Sequence, residues 1–230
     1  MFKVVWIARF GRGLTRDQGR KHWREIHGPL GAAVPGLDRY VQSHVVGSLP
    51  GADATAEPPF DGYSSGWFAD RGAYDGAMAS PEWAELAADS PNLFDRDFFW
   101  GMCAALDENQ VRDGPMAPFK VAWIVRFRSD LGRDEARRHW RDVHGPLALE
   151  APGIRRYVQN HAVEALAAGI RPGQPELGFD GFSECWFDSR ADCLRALTSP
   201  GWAALAADGR AIFDYRRMWS AVLDENVVKN

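Results

Sequence analysis

Apolar and polar positions alternate over Phe2 to Phe10 (Phe-Lys-Val-Val-Trp-Ile-Ala-Arg-Phe) and again over Phe119 to Phe127. A period of two in β-branched and aromatic residues predicts a strand, with Lys3, Val5, Ile7 and Arg9 on one face and Val4, Trp6, Ala8 and Phe10 on the other. The spacing then becomes helical. Gly19, Trp23, Ile26 and Leu30, and likewise Ala136, Trp140, Val143 and Leu147, form a stripe expected to pack on the sheet. Thr15 and Asp17, or Ser129 and Asp130, are the expected caps. Gly28-Pro29 and Gly145-Pro146 mark where the helix is interrupted or ends, because proline has no N–H to donate. A Pro-Gly turn leads into a second strand, where Tyr40, Gln42 and His44 share one face, as do Tyr157, Gln159 and His161. That face is too polar for an ordinary core and reads as the lining of a cavity. Third strands end in Gly66-Trp67-Phe68 and Cys185-Trp186-Phe187, and Ser80-Pro81 and Ser199-Pro200 start helices. Fourth strands, Phe98 to Asn109 and Met218 to Asn226, both finish Leu-Asp-Glu-Asn. Segments 49–59 and 165–178, rich in Gly, Pro and Ala, read as loops bordering an entrance.

The stretch His22 to Leu30 returns almost unchanged as His139 to Leu147, so the chain is a tandem repeat: a first unit over 1–110, a linker over 111–118 and a second unit over 119–230. The order strand, helix, strand, strand, helix, strand is the ferredoxin-like (βαββαβ) arrangement of the α+β class. Helices cover one face of such a sheet and leave the other open. The two units are therefore expected to pair their open faces within one chain as a dimeric α+β barrel enclosing a cavity. Two chains exchanging halves as a homodimer would meet the same need.

In 230 residues, 46% hydrophobic and 25% charged content is that of a soluble globular chain. A net charge of −4 gives no electrostatic reason to expect nucleic acid or an anionic membrane as partner. No apolar run reaches the roughly 18 residues of a membrane span. Met1 to Trp6 runs directly into a strand pattern without a signal sequence, so a cytoplasmic protein is expected. Three cysteines without metal-type spacing imply neither a disulfide framework nor a zinc site. Gly11-Arg12-Gly13 lacks the third glycine of a dinucleotide fingerprint. No metal and no cofactor is expected.

The sequence His-Trp-Arg-x-x-His-Gly-Pro-Leu, then Pro-Gly-(Leu/Ile)-x-Arg-Tyr-Val-Gln, then (Gly/Cys)-Trp-Phe resembles the EthD family of dimeric α+β barrel proteins, in both units. The resemblance implies chemistry on small ring compounds by cofactor-free isomerases, decarboxylases, cyclases or dehydratases. Glu184-Cys185-Trp186-Phe187 is also similar to a strand of the methylmuconolactone isomerases. Their pocket holds a His, a Tyr and a Cys, which correspond here to His144, Tyr157 and Cys185. The first unit keeps His27 and Tyr40 but has Gly66 in place of the cysteine.

All six histidines fall in repeat pairs. His22 and His27 are five apart, about 140° around an α-helix, and so are not expected to act jointly. His22 and His139 read as hydrogen-bonded residues of the helix surface. His27 and His144 point inward, either to act chemically or to brace the Gly-Pro bend, and His44 and His161 are expected to line the barrel. An imidazole and a phenol, Tyr40 or Tyr157, suit proton abstraction and return beside a carbonyl. Glu184 stands where the first unit has Ser65, so a second-unit site of Glu184, His144, Tyr157 and His161 would be the richer one. Arg9 and Arg126 would hold a carboxylate or enolate oxygen, or pair with the Asp-Glu of the fourth strand. Gln42, Gln159, Trp67, Trp186 and Cys185 complete the substrate-contacting set, Cys185 as a nucleophile or simply a small buried group. The reading is a cofactor-free general acid/base enzyme, an isomerase or a lyase/cyclase, acting on a small cyclic or aromatic metabolite in the barrel cavity. The alternatives are a non-catalytic protein that binds a hydrophobic ligand and a cofactor-independent oxygenase of a phenol.

Overall fold

A computed structural model describes residues 1–49, 58–98, 102–166 and 177–230. The first repeat runs through β1 (Phe2–Ala8), α1 (Arg16–His22), a π turn (Trp23–His27), α2 (Gly28–Ala33), β2 (Leu37–Gly47), β3 (Gly62–Phe68), α3 (Arg71–Met78), α4 (Pro81–Leu93) and β4 (Cys103–Arg112). The second follows the same plan with β5 (Phe119–Val125), α5 (Arg133–His139), a π turn (Trp140–His144), α6 (Gly145–Leu147), β6 (Arg156–Ala165), β7 (Gly181–Phe187), α7 (Arg190–Leu197), α8 (Pro200–Ile212) and β8 (Trp219–Lys229).

All eight strands pair antiparallel in one closed barrel, in the order β1-β3-β2-β8-β5-β7-β6-β4. Closure removes the open edges that a single repeat would expose. The repeated Asp-Glu-Asn makes the two seams between repeats. Asp224 pairs with Arg24 at 2.6 Å and Asp107 with Arg141, while Asn226 donates to Gln42 at 2.9 Å and Asn109 to Gln159 at 2.8 Å.

The α+β class and the barrel match expectation; the interior does not. Val5, Ile7, Phe60, Tyr63, Phe179 and Phe182 belong to one buried apolar cluster, and the space beside Lys3, Lys120 and Glu184 amounts to about 30 Å³. No ligand-sized cavity lies inside the barrel among the described residues. Alternation decides which side chains are there: Arg39, Val41 and Ser43 point in, so Tyr40, Gln42 and His44 point out, under the helices.

At the Gly-Pro pairs the regular helix is interrupted rather than ended. Gly28 N–H bonds to the Trp23 carbonyl five residues back, and α2 then starts at Gly28 with Pro29 in its first turn, where the missing N–H costs nothing. The extra residue rotates the buried stripe. His27, Gly28 and Gly31 are buried, whereas Ile26 is 50% and Val143 43% exposed, against the expected stripe. Thr15 caps α1 in a capping box with Gln18, but the N-cap of α5 is Gly132, with no side-chain cap, rather than Ser129 or Asp130. The fourth strands begin later than the pattern suggests, at Cys103 and Trp219. The loops expected over 49–59 and 165–178 fall largely outside the described residues. Among those residues no helix is long and apolar enough to cross a membrane.

Candidate active site

The site is built on the π turns. Gln42 donates from Nε2 to the Trp23 carbonyl at 2.9 Å, and Gln159 to the Trp140 carbonyl at 2.8 Å. Glycine is required for this approach: a Cβ on Gly28 would stand 2.9 Å from Gln42 Nε2, and one on Gly145 2.9 Å from Gln159 Nε2. Gln42 and Gln159, expected to touch substrate, are instead fasteners that fix where His27 and His144 stand.

A π turn also brings residues five apart onto one side of the helix. His22 Nε2 and His27 Nδ1 meet the two oxygens of Asp89 at 3.0 and 2.8 Å, and His139 Nε2 and His144 Nδ1 meet those of Asp208 at 2.8 Å each. The expected 140° separation holds only for an unbroken α-helix. Sequence reasoning missed Asp89 and Asp208. Their signal is Ala-Ala-Asp at matching places, the only carboxylate position that α4 and α8 share. Burial works to raise the Asp89 pKa, but hydrogen bonds with His27, His22 and Asn92 outweigh it and hold the group below the usual carboxylate range.

Between α8 and the outer face of β5 and β7 lies a cavity of about 280 Å³, walled by Trp123, Trp140, Trp202, Tyr157, Phe213 and His144. The counterpart around His27, Tyr40 and Trp83 is about 60 Å³. Burial lowers the His144 pKa against the opposing effect of Asp208, so the ring is neutral at neutral pH. A carboxylate can only accept, which places the His144 proton on Nδ1 and leaves the lone pair on Nε2. Burial raises the pKa of the Tyr157 phenol and pushes that of the Cys185 thiol well up. Both therefore stay protonated, and Cys185 is a small buried wall residue, not a thiolate nucleophile.

Other candidates are elsewhere. His44 and His161 are fully buried against Trp23 and Trp140, with ring centroids 4.8 and 4.3 Å apart, and line no cavity. Among the described residues, neither nitrogen of either ring has a hydrogen-bond partner. Burial, followed by the nearby arginines, lowers the pKa of His44 to about 3 and of His161 to about 4. Glu184 adjoins Cys185 on β7 and so points through the sheet into the barrel, away from His144 and Tyr157. There it meets Lys120 at 2.5 Å and Lys3 at 3.9 Å, and accepts from Tyr63 at 2.7 Å and Asn160 at 3.0 Å. Burial opposes ionisation, but Lys120 and Lys3 bring the Glu184 pKa to about 2. Trp67 and Trp186 cover Lys3 and Lys120 on that same inner side. Arg9 pairs with Asp95 at 2.6 Å and Arg126 with Asp180 at 3.3 Å, so neither lines the pocket nor pairs with the fourth-strand Asp-Glu. Among the described residues, no three His, Cys, Asp or Glu side chains gather as metal ligands.

Fold and site together define a fused α+β barrel with a His–Asp couple and a pocket under the helices of each repeat. The EthD domain matches residues 11–97 and 128–215, and the chain belongs to the EthD family. Among curated proteins nothing matches. Among solved structures the chain is similar to an anthrone oxidase-like protein, with a TM-score of 0.64 and 13% identity, covering 100% of this chain and 94% of that one. It is also similar to two proteins provisionally described as monooxygenases. The one from Fusobacterium nucleatum subsp. nucleatum gives a TM-score of 0.57 at 9% identity, covering 99% and 92% of the two chains. The one from Lactobacillus acidophilus NCFM gives 0.52 at 11% identity, covering 98% and 94%. At such identities the likeness is one of fold.

Proposed function

We propose that the chain is a cofactor-free enzyme that removes a proton from a small cyclic or aromatic metabolite bound beside His144. The observation that carries this is the His144–Asp208 couple opening on a pocket walled by aromatic rings. His144 Nε2 takes the proton, Asp208 steadies the imidazolium, and the Tyr157 phenol donates a hydrogen bond to the oxygen that gains charge. His139 holds the other Asp208 oxygen and keeps the carboxylate aimed. The resulting anion has two kinds of fate, without and with dioxygen. Return of the proton at another atom makes an isomerase, and expulsion of a leaving group from the neighbouring atom makes a lyase; reaction with dioxygen makes an oxygenase. The names of the fold neighbours favour the second.

Anthrone, the molecule in one neighbour's name, has an acidic CH₂ between two rings and serves as the probe. Deuterium exchange into that CH₂ under nitrogen isolates the proton-transfer step, and oxygen uptake in air reads the oxidative fate. We expect His144→Ala to lower exchange at least about 100-fold. Asp208→Asn should lower it comparably, because an amide donor favours the wrong tautomer. If anthrone binds and is neither exchanged nor oxidised, the pocket is a binding site only. A Soret band in the purified protein would overturn the cofactor-free reading.

A further inference from the structure

The pocket beside His144 has an aromatic wall that its counterpart lacks. Trp123, Trp202, Tyr157 and Phe213 correspond to Trp6, Trp83, Tyr40 and Phe94 around the smaller cavity. Tyr215, which also lines the larger pocket, has Arg96 at its place in the first repeat, an exposed residue outside that cavity. The Tyr215 ring is half-buried, so it borders the space beside the histidine rather than filling it.

Several features fix that ring where it is. Asp214 caps the short turn Tyr215–Arg217 by accepting from the Arg216 N–H at 3.2 Å. The Tyr215 hydroxyl donates to the Ala206 carbonyl at 3.1 Å, and the Arg210 guanidinium lies 5.5 Å over the ring. Gly209 supplies the room. A Cβ at 209 would stand 2.6 Å from the Tyr215 hydroxyl and 3.3 Å from His144 Cε1, so glycine is what lets Tyr215 lean in beside the histidine. The first repeat has Ser90 and Pro91 at the places of Gly209 and Arg210, and Ser90 is itself a wall of the smaller cavity.

We infer that Tyr215 is a specificity-determining residue: its ring, admitted by Gly209, holds a flat, uncharged fused-ring compound beside His144. This rests on the pocket being the substrate site, and it names the substrate class. An apolar cavity of about 150 Å³ is large enough for benzene. A space of about 280 Å³ therefore takes a fused-ring system, whereas about 60 Å³ takes no ring at all. Among the described residues the larger pocket has no Lys, Arg, Asp or Glu in its walls. Burying a charge without a partner is costly, so these walls select an uncharged ligand, and aromatic side chains suit the faces of its rings.

Calorimetric titration with 2-tetralone, an uncharged fused-ring ketone, and with cyclohexanone, its single-ring counterpart, tests the assignment; the weaker ligand is read by displacement of the stronger. The extra carbons should favour 2-tetralone by about 100-fold. In Tyr215→Ala the preference should fall to about tenfold with cyclohexanone affinity unchanged. Gly209→Ala, which drives the Tyr215 hydroxyl from its place, should do the same, whereas Tyr215→Phe keeps the ring and should hold the preference within about twofold of wild type. Equal affinities in the wild type, a preference that survives Tyr215→Ala, a parallel loss of both ketones in that variant, a lost preference in Tyr215→Phe, or no binding of 2-tetralone would each overturn it. His144→Gln should keep the preference while losing anthrone exchange, so failure of the base and failure of the wall are read separately.

Discussion

His44 and His161 are tolerable only as uncharged rings, since among the described residues neither nitrogen of either finds a partner. In an unfolded chain these groups protonate near pH 6.5, but in the fold only near 3 and 4. The unfolded state therefore binds more protons as pH falls. No cost arises above about pH 6.5, and for His161 it grows to on the order of 3 kcal/mol by about pH 4. Urea unfolding at pH 7 and pH 4.5 should show a large acid loss in the wild type and a clearly smaller one in His161→Phe, whatever that variant's stability at pH 7. An equal loss would show that another group carries the acid sensitivity. The strand pattern correctly put Tyr157 and His161 on one face, but alternation alone does not say which face looks into a barrel. Only closure of the eight strands decides that, and so the expected barrel lining turned out to lie under the helices.

At the scale of the element, the π turn explains most of what the sequence concealed. Helical spacing located the helix and its Trp23 and Trp140 anchors, yet one inserted residue moved every position after them. It exposed Ile26, and it brought His22 and His27, apparently on different sides, onto a single aspartate. Gly145→Ala should displace Gln159 and cost about 1 to 3 kcal/mol, with a fall in anthrone exchange because His144 moves with the turn. Gly28→Ala, with the same close approach in the other repeat, should cost similar stability and leave that exchange near wild type. Denaturant titration and the exchange assay together separate the two. Equal effects on exchange would mean that the turn transmits through the whole barrel rather than to its own histidine.

Across the whole molecule, repeat, barrel and element order were legible because each follows from a pattern printed twice. The inequality of the pockets was legible only in hindsight, in single exchanges such as Ser90 for Gly209 and Pro91 for Arg210. The same holds at the centre of the barrel. Glu184 gathers Lys3 and Tyr63 from one repeat and Lys120 and Asn160 from the other. Glu184→Gln should cost about 3 to 5 kcal/mol, since it leaves buried lysines short of a countercharge. With a folded pKa of about 2, the carboxylate's contribution is complete above an unfolded value near 4.3 and disappears as pH falls through 2. Melting curves of the variant and the wild type should accordingly converge towards pH 2.

Glu184, which has Ser65 as its counterpart, makes the two halves strangers to themselves. Symmetry places every axial residue twice, so two copies of the second half would crowd two glutamates together with Phe182 where Tyr63 should donate, and two copies of the first would offer Ser65 twice and leave each Lys3 with Glu108 alone. Expressed as separate pieces, the halves should seek each other in one-to-one ratio in preference to their own kind. The fusion thus works less as a tether than as a licence: once neither half has to recognise its own copy, one can keep a wide pocket while the other lets its pocket close.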